Sequence, residues 1–193
     1  MKKFELTNEF ITNMFGTKLF RIRALVEFGD VEAGELGGYV EKESNLGHDD
    51  NAWVYDNAWV YGDAQVSGDA RVYDNAWVYG DAQVSGDALV YGNARVYGNA
   101  WVYGNAQVSG NARVYGDARV CGNGDYAYAH GFGSVNRTTT FFRLKDGGVG
   151  VRCGCFYGTL AQFRDKIRET HGETKKAQEY LMLADLMKLR FEK

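Results

Sequence analysis

Across residues 51–122 the apolar and polar positions alternate on a six-residue beat: Asn or Asp, Ala, a variable residue, Val, most often Tyr or Ser, then Gly or Asp. The phrase occurs twelve times. A unit this short holds one strand and one corner, so the tract reads as a solenoid in which every unit adds a strand to a stack. Side chains alternate faces along a strand, which puts Ala and Val of each phrase on one side and the residues flanking Val on the other. Val and Ala are therefore the predicted core, each buried Val contributing about 1.5–3 kcal/mol before conformational entropy is charged against it.

A longer period sets the cross-section. Residues 56–73 recur as 74–91 with only Arg71 replaced by Leu89, a repeat of eighteen residues or three phrases. Eighteen residues per turn predicts a three-sided coil; a two-sided coil would put the Gln-Val-Ser phrases at 65–67 and 83–85 on opposite faces. Three sides also align Asn57, Asn75, Asn93 and Asn111 in one corner column. Successive coils should rise by about 4.8 Å, giving four coils a height of about 19 Å. The Gly-Asp and Gly-Asn corners suit positive φ, and the chain contains no Pro to interrupt a ladder.

The flanks read as caps for the two open ends of the stack. Residues 4–11 and 19–26 predict two strands joined near Asn13 to Thr17, with Phe20, Ile22 and Ala24 on one face and Arg21 and Arg23 on the other. Residues 37–40 open an irregular coil with Ser44 at its small corner position and Leu46 in the core, and two extra residues bulge near His48, Asp49 and Asp50. Beyond Gly122 the phrase decays; residues 138–144 and 149–156 read as a hairpin around 145–148. Two helices follow. Thr159 and Gln162 form a capping box before a stripe of Leu160, Phe163 and Ile167, and Gly172 is a stop. The second, from about 174 to 191, carries Ala177, Leu181, Ala184 and Met187, widened by Tyr180, Leu183 and Leu186, for packing on the hairpin or for assembly. The expected organisation is an N-terminal cap and irregular coil (1–46), the repeat tract (47–123) and a C-terminal hairpin with two helices (124–193). The fold class is an all-β solenoid, a three-sided parallel β-helix.

The phrases VYGDAQ, VSGDAR and VYGNAW resemble the repeat of the hexapeptide-repeat left-handed parallel β-helix superfamily, best known from acyltransferases that work as trimers. LFRIRALVEFGDVEAGELGGYVEKESNL (19–46) and CGCFYGTLAQFRDKIRETHG (153–172) resemble phage- and prophage-encoded hexapeptide proteins assigned as transferases. The resemblance implies a left-handed coil and, in such acyltransferases, a histidine that activates the acceptor beside acetyl coenzyme A in a groove between subunits. This chain has three histidines, and its twelve phrases contain neither a histidine nor an inserted loop. His130, beside the C-terminal junction, is the one candidate base. His171 is expected at a helix C-terminus and His48 in a surface loop.

Charge and composition narrow the classes. The 193 residues contain no run of about 18 apolar residues, and Met1-Lys2-Lys3 is followed by FELTNEF rather than an apolar signal core, so a cytoplasmic protein is expected. Cys121, Cys153 and Cys155 form no paired framework. No lysine lies between Lys42 and Lys145, and residues 51–123 carry seven Asp against four Arg. That acidic balance argues against general binding of nucleic-acid phosphates. Cys153 and Cys155 would share a strand face, but two sulfurs fall short of a four-ligand zinc site, and no metal is expected.

The outward columns hold the candidate chemistry. One face reads Trp59, Trp77, Arg95 and Arg113 beside Tyr61, Tyr79, Tyr97 and Tyr115, a Trp-to-Arg gradient next to a tyrosine stripe. A second carries Trp53, Arg71, Leu89 and Gln107 beside Tyr55, Tyr73, Tyr91 and Ser109. The third is plainer, with Gln65, Gln83, Trp101 and Arg119 beside Ser67, Ser85, Tyr103 and Cys121. Identical rings in register stabilise parallel ladders by themselves; rings beside guanidiniums also suit flat anionic ligands, glycans or a partner's apolar patch. The reading is a non-catalytic binding protein without cofactor, with Trp59, Trp77, Arg95, Arg113 and the four tyrosines as its surface. On the phage-like resemblance it is an accessory factor that binds a host macromolecule, in antagonism of host defence, or a small nucleotide-like anion. A homodimer or trimer through the C-terminal helices or the prism faces is expected. The alternatives are an acyltransferase using His130 and coenzyme A, and a structural self-assembling protein.

Overall fold

The computed structural model describes residues 2–133 and 135–192. Strands β1 (Phe4–Thr12) and β2 (Lys18–Ala24) form the N-terminal hairpin, and β3 (Leu36–Val40) enters the solenoid. The first regular coil supplies β4 (Trp53–Val54), β5 (Trp59–Gly62) and β6 (Gln65–Val66), and the second β7 (Arg71–Val72), β8 (Trp77–Gly80) and β9 (Gln83–Val84). The third holds β10 (Leu89–Val90), β11 (Arg95–Gly98) and β12 (Trp101–Val102), and the fourth β13 (Gln107–Val108), β14 (Arg113–Tyr115) and β15 (Arg119–Val120). Strands eighteen residues apart pair in parallel, as Trp59 with Trp77 and Val60 with Val78, so the prism has three sheets.

The core follows the alternation. Every Ala from Ala52 to Ala118 and every Val from Val54 to Val120 at six-residue spacing is buried. Corner glycines of one column lie against each other: Gly80 has φ +73°, and a Cβ there would come within 3.1 Å of the Gly98 amide nitrogen. Glycine takes that conformation at no steric cost, and in another corner column Asp56 and Asp74 also hold positive φ, at 52° and 59°.

At the front, β3 continues one face in parallel, Val40 opposite Val60, and β2 and β1 extend it antiparallel. Val40 to Val60 and Leu46 to Val66 are both twenty apart, whereas Trp53 to Arg71 is eighteen, so the two extra residues fall between Leu46 and Trp53. Several expectations need correcting here. Leu19 is fully buried and Phe20 only partly, because the ladder between β2 and β3 shifts register after Arg21. Asn45, not Ser44, fills the irregular corner, its side-chain amide donating to the carbonyls of Gly62 at 3.0 Å and Ala64 at 2.8 Å. Trp53 keeps its outward register opposite Arg71 but is not exposed: the cap folds over it, and Phe4 and Phe28 meet its ring edge-on at 6.1 and 5.3 Å. His48 lies in the loop as expected but is half-buried; it stacks on Phe4 at 4.4 Å, and its Nδ1 accepts the Lys3 amide hydrogen at 3.2 Å.

At the back, β16 (Tyr126–Phe132), β17 (Arg137–Arg143), β18 (Val149–Cys153) and β19 (Phe156–Thr159) make a four-stranded antiparallel sheet, two strands more than the expected hairpin. Helices α1 (Leu160–His171) and α2 (Lys175–Phe191) cover it, and the Thr159/Gln162 capping box is formed. The Arg113 amide donates to the Thr140 hydroxyl at 2.9 Å, and the Lys145 amide to the Asp117 carbonyl at 3.1 Å, tying the sheet to the last coil. A second core gathers Phe141, Val151, Phe163, Ile167, Tyr180, Met187 and Phe191 beneath the helices. Leu186 remains outside it, exposed with Met182 and Leu189 along α2. Among the described residues, no helix is long and apolar enough to cross a membrane.

Candidate functional site

The Trp and Tyr columns form stacks that need no ligand. Trp59 and Trp77 lie 4.5 Å apart and nearly parallel, Tyr61 and Tyr79 5.0 Å apart, and Tyr79 and Tyr97 4.8 Å apart. The eighteen-residue register puts each ring on its neighbour, and the half-buried rings cover the sheet beneath. Burial pushes the Tyr79 hydroxyl up to about 12, helped by Tyr97 and Tyr61 and opposed by Arg95 and Arg113. The stripe ends under the C-terminal sheet. The Arg152 Nε donates to the Tyr97 hydroxyl at 3.1 Å, its guanidinium lies 5.3 Å from the Tyr115 ring centre, and Tyr157 meets Tyr115 edge-on at 4.7 Å. Tyr97 and Tyr115 therefore serve the junction between solenoid and sheet.

Where tryptophan gives way to arginine, a cleft opens. Its volume is about 570 Å3, and it is lined by Asn93, Arg95, Asn111 and Arg113 from the prism, His130 from β16, Val135 to Thr138 at the start of β17, and the Gly154–Cys155 turn. The Arg95 guanidinium is held from one side, 4.1 Å above the Trp77 ring. The Arg113 side chain descends beside it from the next coil, in register. Arg137 arrives from the facing sheet. Among the described residues no carboxylate stands at ion-pair distance from any of the three.

Two local features hold the facing wall in place. The hairpin between β16 and β17 passes directly over α2 at Gly133, where a Cβ would run into the Tyr180 hydroxyl; that hydroxyl donates to the Phe132 carbonyl at 3.3 Å. The turn between β18 and β19 is fixed by Arg152, which donates to the Cys155 carbonyl at 3.1 Å. Cys155 thus sits in a turn and does not share a strand face with Cys153, and Cys121, at the outward position after Val120, is exposed. The Cys153 sulfur instead accepts the Thr139 hydroxyl at 3.1 Å. His171 stacks on Tyr180 at 5.9 Å. No group of three or more His, Cys, Asp or Glu side chains able to hold a metal occurs among the described residues.

The structure thus brings Arg95, Arg113 and His130 to one cleft and leaves Trp59, Trp77, Tyr61, Tyr79, Tyr97 and Tyr115 outside its lining. His130 is exposed, with Nδ1 2.9 Å from the Thr138 hydroxyl oxygen. Column reading misses Arg137, which no repeat position marks. A signal was nevertheless present in the charge order. Residues 1–87 carry seven Lys and Arg against sixteen Asp and Glu, a net of −9, whereas residues 88–193 carry fifteen against nine, a net of +6, together the −3 of the chain. The chain is charge-polarised, and the cleft lies in its basic half. What the arrangement offers chemically is a set of planar donors for an anion, with three asparagines, Asn93, Asn111 and Asn136, and the Thr138 hydroxyl in the same lining.

Residues 64–80, 82–94, 90–104 and 106–123 match the model of the YdcK beta solenoid repeat, so the regular coils are similar to that repeat. No curated protein sequence matches the chain.

Proposed function

We propose that this protein is a non-catalytic binding protein whose junction cleft takes a small, multiply charged anion. One observation carries the reading: Arg95 and Arg113 from the solenoid and Arg137 from the C-terminal sheet line a single cleft, with no carboxylate at ion-pair distance among the described residues. Converging like charges repel, and a bound anion with two or more negative oxygens would turn that repulsion into charge-assisted hydrogen bonds. The acidic N-terminal half and basic C-terminal half would steer such a ligand toward the cleft.

Coenzyme A provides the contrast. The three guanidiniums fit its phosphates, but Val135 and Cys155 offer little apolar surface for a pantetheine arm, and the ring nitrogen of His130 bonded to Thr138 is not oriented by a carboxylate. Thermal unfolding separates the readings. Pyrophosphate at about one hundred times its Kd should stabilise the protein by about 2.7 kcal/mol, and coenzyme A should stabilise it no more than adenosine 3′,5′-bisphosphate does. No shift with pyrophosphate would sink the binding reading. Turnover of acetyl coenzyme A that disappears in His130→Ala would replace it with acyl transfer.

A further inference from the structure

A second feature lies on the third face, where ladder stacking fails as an explanation. Trp101 and Tyr103 are the outward rings of the repeat tract whose column neighbours on both sides are non-aromatic: Gln83 and Arg119 flank Trp101, and Ser85 and Cys121 flank Tyr103. Trp101 is 42% exposed, unlike the buried Trp53 and the half-buried Trp59 and Trp77. The change from Gln83 and Ser85 to two large rings makes a step in the surface. At this step runs a groove of about 440 Å3, lined by Gln83, Ser85, Trp101, Tyr103, Arg119 and Lys145. It continues past Tyr103, Arg119 and Lys145 toward Arg143 and Phe191.

The cationic end of the groove is built by the fold. Ala118 bridges to Leu144, which sets the exposed Lys145 beside the last coil, and the Arg119 guanidinium rests 4.4 Å above the Trp101 ring. Neither cation has a carboxylate at ion-pair distance among the described residues. Arg119 already spends its Nη1 on the carbonyls of Asn99 at 2.9 Å and Ala118 at 2.8 Å. What remains suits one carboxylate better than a chain of phosphates. Gln83, Ser85 and the Tyr103 hydroxyl both donate and accept, as vicinal sugar hydroxyls require, and the ring of Tyr103 above the small Ser85 offers an apolar face for a pyranose.

We propose that this groove binds a carboxylate-bearing sugar of the uronic-acid class, its carboxylate on Lys145 and Arg119 and its ring against Tyr103 and Trp101. The site is separate from the junction cleft and does not depend on it. The test titrates a hexuronate trisaccharide, its neutral hexose counterpart and uridine monophosphate into the full chain, followed by tryptophan emission and calorimetry. Trp101→Gln and Tyr103→Ser install the residues that the preceding coils carry at the same positions, so the coil is expected to fold. The uronate should bind and the neutral sugar should not. Tyr103→Ser should weaken the uronate by about five-fold and Lys145→Gln by about three-fold, while Arg113→Gln leaves it unchanged. Equal binding of the neutral sugar, preference for the nucleotide, no binding of the uronate, or uronate affinity unmoved by Tyr103→Ser would each overturn the proposal.

Discussion

Lys3 carries a consequence that can be worked to a number. Its side chain is almost fully buried in the N-terminal cap, and its ammonium donates to the carbonyls of Asp50 at 2.7 Å and Ala52 at 2.9 Å and lies 4.7 Å from the Phe28 ring centre. Burial pulls it down from 10.5 to about 8, against the attraction of Asp50, Asp49 and Asp69. The unfolded chain therefore binds this proton more tightly than the folded one, so folding is penalised below pH 8 and the penalty is relieved as pH rises toward 10.5. For one such group, stability should rise by about 2 kcal/mol between pH 7.5 and 9.5, a window that ends before unfolded tyrosines ionise near 10. Urea unfolding followed by tryptophan emission measures it. Lys3→Met should lose the pH slope, keeping the apolar stem without the charge. A flat profile in the wild type, or an unchanged slope in Lys3→Met, would refute the reasoning.

Three further outcomes are expected. Val96→Ala removes two buried methyl groups from a close-packed column and should cost about 2–3 kcal/mol, whereas Val135→Ala, at the exposed hairpin, should cost under about 0.5 kcal/mol; urea midpoints compare them. Gly80→Ala forces a Cβ onto a φ of +73° against the next coil and should cost about 1–3 kcal/mol, read from the shift in Tm. Burial holds His48 below its ordinary 6.5, with the charge of Glu43 opposing, so its neutral form belongs to the folded state; cap stability should fall as pH drops through 6.5, and His48→Phe should remove that loss.

How far the chain can be read before it is folded depends on the range of the contact. Val, Ala and the corner glycines act on neighbours one coil away, and the eighteen-residue repeat states that distance openly, so three sides, register and core were all legible. Helix α1 was legible for the same reason, since Thr159 and Gln162 cap it locally. Trp53 was misread because what covers it, Phe4 and Phe28, comes from a cap that obeys no repeat. Strand β16 was hidden because Gly131 interrupts its alternation and its ladder to β17 shifts register between Ala129 and Phe132. The candidate site divides along the same line. Arg95 and Arg113 stand out as the point where a column changes from Trp to Arg, whereas Arg137 joins them only through the placement of the C-terminal sheet, which Tyr180, Arg152 and Thr140 secure.

The central claim is that arginines from two separate parts of the chain form one anion site, and calorimetric titration of pyrophosphate tests it most directly. Wild type should bind with an affinity that falls as salt rises, as screening of the three guanidiniums requires. Arg113→Gln and Arg137→Gln should each weaken binding by about ten-fold or more, the loss of a charge-assisted hydrogen bond, while Arg23→Gln in the distant N-terminal hairpin should leave it unchanged. Binding that survives in Arg137→Gln, or that falls equally in Arg23→Gln, would contradict a single site shared by solenoid and sheet.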